Sequence, residues 1–79
     1  MRIGKVSHLS SSQHLIVKME EASPPPLGSK VLDNNLRVVG SISDIFGPTS
    51  APYVSIRPYR RPAPDLVGAV VYAPDSDGG

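Results

Sequence analysis

The chain contains no cysteine, so neither a disulfide framework nor a thiolate zinc site can stabilise it, and its chemistry is compatible with a cytoplasmic setting. A charge excess is lacking as well. Eight Lys and Arg residues against seven Asp and Glu leave a formal net charge of +1, whereas binding nucleic acid through phosphates draws on a basic excess gathered on one face. No apolar run approaches the ~18–20 residues of a membrane span, and the opening MRIGKVSHLS carries no targeting pattern. These absences point to a soluble intracellular chain with no membrane partner. Catalytic chemistry is missing too. The two histidines, His8 and His14, flank a polar turn and read as surface residues; with scattered carboxylates they offer too few donors for a three-ligand metal site. Glu20 and Glu21 are adjacent and diverge at a strand end, no serine sits in a nucleophile elbow, and no Gly-rich loop forms a phosphate cradle. We therefore expect no catalytic, metal-binding or cofactor-binding residue, and no enzyme in this chain alone.

What the chain does contain is organised around Gly40 to Pro58, GSISDIFGPTSAPYVSIRP. Leu36, Val38, Gly40 and Ile42 recur at a period of two, which predicts a half-buried strand with Arg37, Ser41 and Ser43 on its other face. Carried forward, that parity sends Phe46 inward and Ile45 outward. Beyond the loop, Val54 and Ile56 share one face, and Tyr53, Ser55 and Arg57 share the other. The loop has two readings. Gly47 and Pro48 serve as a plain turn; or the prolines Pro48 and Pro52 stiffen a docking surface to which Ile45 and Tyr53 supply contact area.

Seventy-nine residues make one domain, and chains of this size bury only about 60–65% of their unfolded surface. Arg2 to Leu9 and Leu15 to Met19 predict an opening hairpin across the Ser10 to His14 turn, with Gly4 marking a bend or bulge. In the second of these strands Leu15, Val17 and Met19 share one face and Ile16 and Lys18 the other. The three prolines Pro24, Pro25 and Pro26 make a rigid extended connector. Lys30 to Asp33 forms a short strand, the Asn34-Asn35 pair suits a tight turn by tolerating left-handed geometry, and LVGAVVYA, Leu66 to Ala73, reads as a strand covered on both faces. Six short strands without a helix predict an all-β fold, a small closed barrel in which closure removes exposed edges. The barrel domain is expected over residues 1–73, followed by a disordered acidic, Gly-rich tail at 74–79. Within the barrel domain, between the central stretch and Leu66 to Ala73, lies RPYRRP, Arg57 to Pro62. It reads as a solvated, proline-extended loop; the alternative is direct RNA contact through Arg57, Tyr59, Arg60 and Arg61, an aromatic interleaved with arginines.

MRIGKV, LGSKVLD, VGSISDIFGPTSAPYVSIRP and LVGAVVYA together span nearly the whole chain, and they resemble the glycine- and arginine-rich protein subunit of box H/ACA ribonucleoproteins. The most specific part is Asp44-Ile45-Phe46-Gly47-Pro48 followed by Pro52-Tyr53. The resemblance implies a six-stranded barrel like the second domain of translation elongation factors, in a subunit that is itself non-catalytic. It further implies direct binding to the dyskerin-type pseudouridine synthase, with guide RNA and the other particle proteins as indirect partners in rRNA pseudouridylation. Partner contact is thereby expected at Ile45, Phe46, Gly47, Pro48, Pro52 and Tyr53. The glycine-arginine tails that name the family are missing, which fits its compact archaeal form and a cytoplasmic location (nucleolar in a eukaryote). Ala69-Val70 and Arg60-Arg61 also depart from the family pattern.

Overall fold

The computed structural model describes residues 1–19, 24–60 and 64–74. Within them the strands are β1 (Arg2–Leu9), β2 (Leu15–Lys18), β3 (Lys30–Leu32), β4 (Val38–Phe46), β5 (Tyr53–Pro58) and β6 (Val70–Tyr72), with one 3-10 turn at Pro64–Leu66. They close into an all-antiparallel barrel in the order β1-β2-β5-β4-β3-β6. Closure leaves no open sheet edge, which a short chain with little apolar surface to spare would otherwise have to protect. β3 meets β6 at Leu32 and Tyr72. A second tie lies beside that seam: the Ala73 amide donates to the Met1 carbonyl at 2.7 Å, and the Met1 ammonium donates to the Ala73 carbonyl at 2.9 Å. No helix among the described residues is long and apolar enough to cross a membrane.

Inward-facing side chains from all six strands fill the barrel: Ile3, Val6, Leu15, Val17, Met19, Val31, Ile42, Val54, Ile56, Val71 and Ala73 form one cluster. Its layers follow from register. Leu15 faces Ile56, which in turn faces Ile42; Val17 faces Val54, which faces Ile45. The alternation read from β2 and β5 is thus the observed one, with Leu15, Val17, Val54 and Ile56 fully buried and Lys18 and Arg57 exposed. Ile16, on the other face of β2, is buried as well.

β4 departs from the expected parity, and the cause is two bulges. Against β3, Val31 pairs with Gly40 and Leu32 with Val38, so Val39 is an extra residue; against β5, Ile42 pairs with Ile56 and Asp44 with Ser55, so Ser43 is another. Each extra residue exchanges the two faces of the strand. Gly40 and Ile42 therefore point inward as expected, but Val38 and Leu36 do not: Val39 packs on the core instead, and Leu36 is 75% exposed. Beyond Ser43 the exchange repeats. Ile45 packs against the core and Phe46 faces out, the reverse of the period-two reading. Gly40 is required by closeness to β5, because a Cβ there would collide with the Arg57 carbonyl.

Two further expectations are corrected. The turn after β3 takes its left-handed residue at Leu36 (φ 64°), not at either asparagine. Asp33 imposes this by accepting from the amides of Asn35 (2.8 Å) and Arg37 (2.9 Å) through Oδ1, while the Leu36 amide donates to the Asp33 carbonyl at 3.0 Å. The run Leu66 to Ala73 is not one strand either. Gly68 turns the chain at φ 89° and the Ala69 amide bonds back to the Leu66 carbonyl at 3.0 Å, so the extended segment is confined to Val70–Tyr72. Gly4 does sit at a bulge, between Arg2 and Gly4 in the pairing with β6. Residues 20–23 of the proline-rich connector, Arg61 to Ala63 of the arginine loop and 75–79 of the expected tail lie outside the described residues.

Candidate protein-docking edge and arginine groove

Phe46 and Tyr53 close the β4–β5 hairpin as a directly opposed pair. Because the Ser43 bulge turns Phe46 onto the outer face, where Tyr53 already stands by alternation from inward Val54, their rings stack, with centroids 5.5 Å apart and planes inclined by 12°, within the range in which parallel aromatic pairs attract. Gly47 follows at φ 91°. A Cβ there would stand 2.9 Å from Tyr53 Cδ1, so the glycine both makes the turn and leaves room for the tyrosine ring. The loop then folds through a turn in which the Ala51 amide donates to the Pro48 carbonyl at 3.2 Å, and buried Pro52 returns the chain to β5, accepting from the Met19 amide at 2.9 Å.

The result is a shallow cavity of about 270 Å³ lined by Pro24, Ile45, Phe46, Gly47, Thr49 and Pro52. Five of the six residues expected at a partner surface are thereby brought together: Ile45, Phe46, Gly47 and Pro52 line the cavity, and Tyr53 stacks on Phe46. Pro48 is exposed in the same loop. The apolar ring offered to solvent is Phe46, 44% exposed, while Ile45 is shared between cavity and core. Pro24, expected only as part of a connector, joins the rim.

On the outer wall beneath this edge, His14 is half-buried rather than a plain surface residue. Its Nδ1 lies 3.1 Å from Ser55 Oγ and 3.4 Å from Ser43 Oγ, and Ser43 Oγ donates to the Ser55 carbonyl at 3.1 Å. Ser55 is 8% exposed. The bulge residue is thus tied to β5 by its own hydroxyl, which holds the face exchange that exposes Phe46. Among the described residues no three His, Asp or Glu side chains are grouped so as to hold a metal ion.

The arginine segment builds a second feature at the other end of the hairpin. Tyr59, 58% exposed, and Arg60 line an open groove of about 680 Å³ together with Asp33, Arg37, Val38, Val39, Pro58, Asp65 and Leu66. The Tyr59 amide donates to the Val39 carbonyl at 3.0 Å, continuing the ladder past β5 and fixing the tyrosine at the groove wall. Arg57 is exposed but does not line the groove. Arg37, Asp33 and Asp65 do line it and were not foreseen there: the β3–β4 turn and the 3-10 turn bring them in from elsewhere in the chain.

The chain is thus a small all-β barrel domain that carries a stacked aromatic pair on a proline-braced hairpin end. The sequence model of the Gar1/Naf1 RNA binding region matches residues 1–76, and the chain belongs to that family, which is consistent with a Gar1-type H/ACA subunit. That family supplies accessory ribonucleoprotein proteins rather than catalysts. The chain is also similar to an uncharacterized protein of Methanothermobacter thermautotrophicus, 35% identical over 74 residues that cover 89% of this chain and 78% of the relative.

Proposed function

We propose that this protein is a non-catalytic H/ACA subunit that binds the dyskerin-type pseudouridine synthase of its particle and promotes guide-RNA-directed pseudouridylation of rRNA in the cytoplasm. The observation that carries this reading is the exposed Phe46 ring stacked on Tyr53 beside the Gly47-Pro48 loop. Exposed apolar surface held rigid before contact loses little ordering entropy on binding, and aromatic side chains are enriched among the residues that dominate interface energies. Guide RNA and the other particle proteins are indirect partners in this scheme. A subunit without catalytic groups changes a rate by contacting one state of a mobile enzyme loop better than another. If loop opening and product release limit turnover, omitting the subunit from a reconstituted particle slows multiple turnover more than a single round and leaves guide binding unchanged. Equal loss in both assays, or loss of guide binding, contradicts this mechanism.

A second reading is direct RNA contact, supported by the description of the family as an RNA binding region and by exposed Tyr59 beside Arg60. Titrating RNA into the isolated protein at two salt concentrations separates the two, because phosphate contacts give a steep salt dependence.

A further inference from the structure

We infer that the groove between the β3–β4 turn and the 3-10 turn is a subsite for an unpaired nucleotide of single-stranded RNA, with the base on Tyr59 and the phosphate between Arg37 and Arg60. This deepens the RNA reading above and rests on it. Three features select this ligand.

The first is shape and surface. A volume of about 680 Å³ lies in the range of small-ligand sites, and its apolar wall, Val38, Val39, Leu66 and the Tyr59 ring, suits the face of a base. Stacking on an aromatic is indifferent to sequence, since every base has such a face.

The second is the balance of charge. Arg37 and Arg60 stand with Asp33 and Asp65 around one groove. A duplex presents mainly phosphates to a protein surface, and two carboxylates repel them. An unpaired nucleotide brings one phosphate and the hydrogen-donating edge of its base, so both signs of charge find a counterpart.

The third is backbone geometry. Leu36, a residue poorly suited to positive φ, is held at 64° by the Asp33 cap and projects 75% exposed from the turn that also carries Arg37. Such conformations persist where surrounding bonds over-determine them, and here the same bonds fix the backbone of Arg37 at the groove. The groove lines the Val38–Val39 end of β4 and the aromatic edge lies at Phe46, seven strand positions or roughly 23 Å away. One barrel can therefore hold RNA and a protein partner together.

The test uses isotope-labelled full-length protein, a hexauridine strand and a duplex of equal length, followed by NMR and by affinity at low and moderate salt. The expected result is perturbation of Tyr59, Arg37 and Arg60 by the single strand, weaker binding of the duplex, and about ten-fold loss of single-strand affinity in Tyr59→Ala and in Arg37→Ala. Phe46→Ala should bind the strand as the parent does. Because Tyr59 is largely exposed, melting of Tyr59→Ala distinguishes lost stacking from lost fold; Tyr59→Phe, which keeps the ring, should restore binding. Strand binding that ignores Tyr59 and Arg37 but depends on Arg57 overturns the groove and leaves the RNA reading standing. Absence of binding by any strand overturns both. A dimer dissolved by Leu36→Asp would assign the groove to a second copy of the chain and also overturn the proposal.

Discussion

Phe46 lies nearly parallel to Tyr53 on the outside of the barrel, although one residue earlier Ile45 points into the core against Val54. The extra residue Ser43 makes this possible: it exchanges the faces of β4 just before the hairpin end and so turns Phe46 outward, where strict alternation from Ile42 would have turned it into the core and left Ile45 outside. The exposed aromatic edge is a product of the bulge.

Gly47→Ala should loosen that edge without unfolding the barrel. The new methyl group would stand 2.9 Å from Tyr53 Cδ1 on a backbone at φ 91°, so the ring must shift and the turn is strained, a cost on the order of 1–2 kcal/mol. Synthase affinity should fall several-fold while circular dichroism keeps its β signature. Unchanged affinity would show that the geometry of the stack does not matter for binding.

Val54→Ala and Ile56→Ala should act through folding. Both side chains are fully buried, and removing buried methyl groups costs about 1–4 kcal/mol, which for so short a domain lowers Tm by roughly 4 °C or more. Ile45→Asp belongs with them, because Ile45 packs on the core and its replacement would bring a carboxylate against apolar neighbours. Thermal melting of the three variants beside Phe46→Ala checks the assignment. A parent-like Tm for Ile45→Asp would place that side chain outside the core.

The parts of this structure that were legible in the sequence are those where residue type and local geometry coincide. β2 and β5 run without a bulge along their mutual ladder, so alternation alone assigned Leu15, Val17, Val54 and Ile56. The polar turn at Ser10 to His14 and the closed all-β architecture followed from the same kind of pattern. Alternation fails in β4 on both sides of Gly40 to Ile42 because a bulge is one unpaired residue between two strands, and neither Val39 nor Ser43 differs in type from an ordinary strand residue. Leu36 was missed for a related reason: its left-handed backbone is imposed by the Asp33 side chain, against the preference of leucine itself. The loop composition pointed to the Gly47-Pro48 segment as a candidate docking surface, but the stacking of Phe46 on Tyr53 required the register. The groove could not be read at all, since Asp33, Arg37, Tyr59 and Asp65 meet only after the barrel closes.

The most direct test of the docking edge is calorimetric titration of the purified synthase with the wild-type protein, Phe46→Ala and Tyr53→Ala, each first shown by melting to be folded. Losing the stack costs the barrel about 0.5–1.5 kcal/mol, less than a core truncation, so all three proteins should be folded at the temperature of the titration. The account predicts a loss of affinity of at least ten-fold for each variant, with the larger loss in Phe46→Ala, whose ring lines the cavity. Wild-type affinity in both folded variants would contradict it and move the partner surface elsewhere on the barrel.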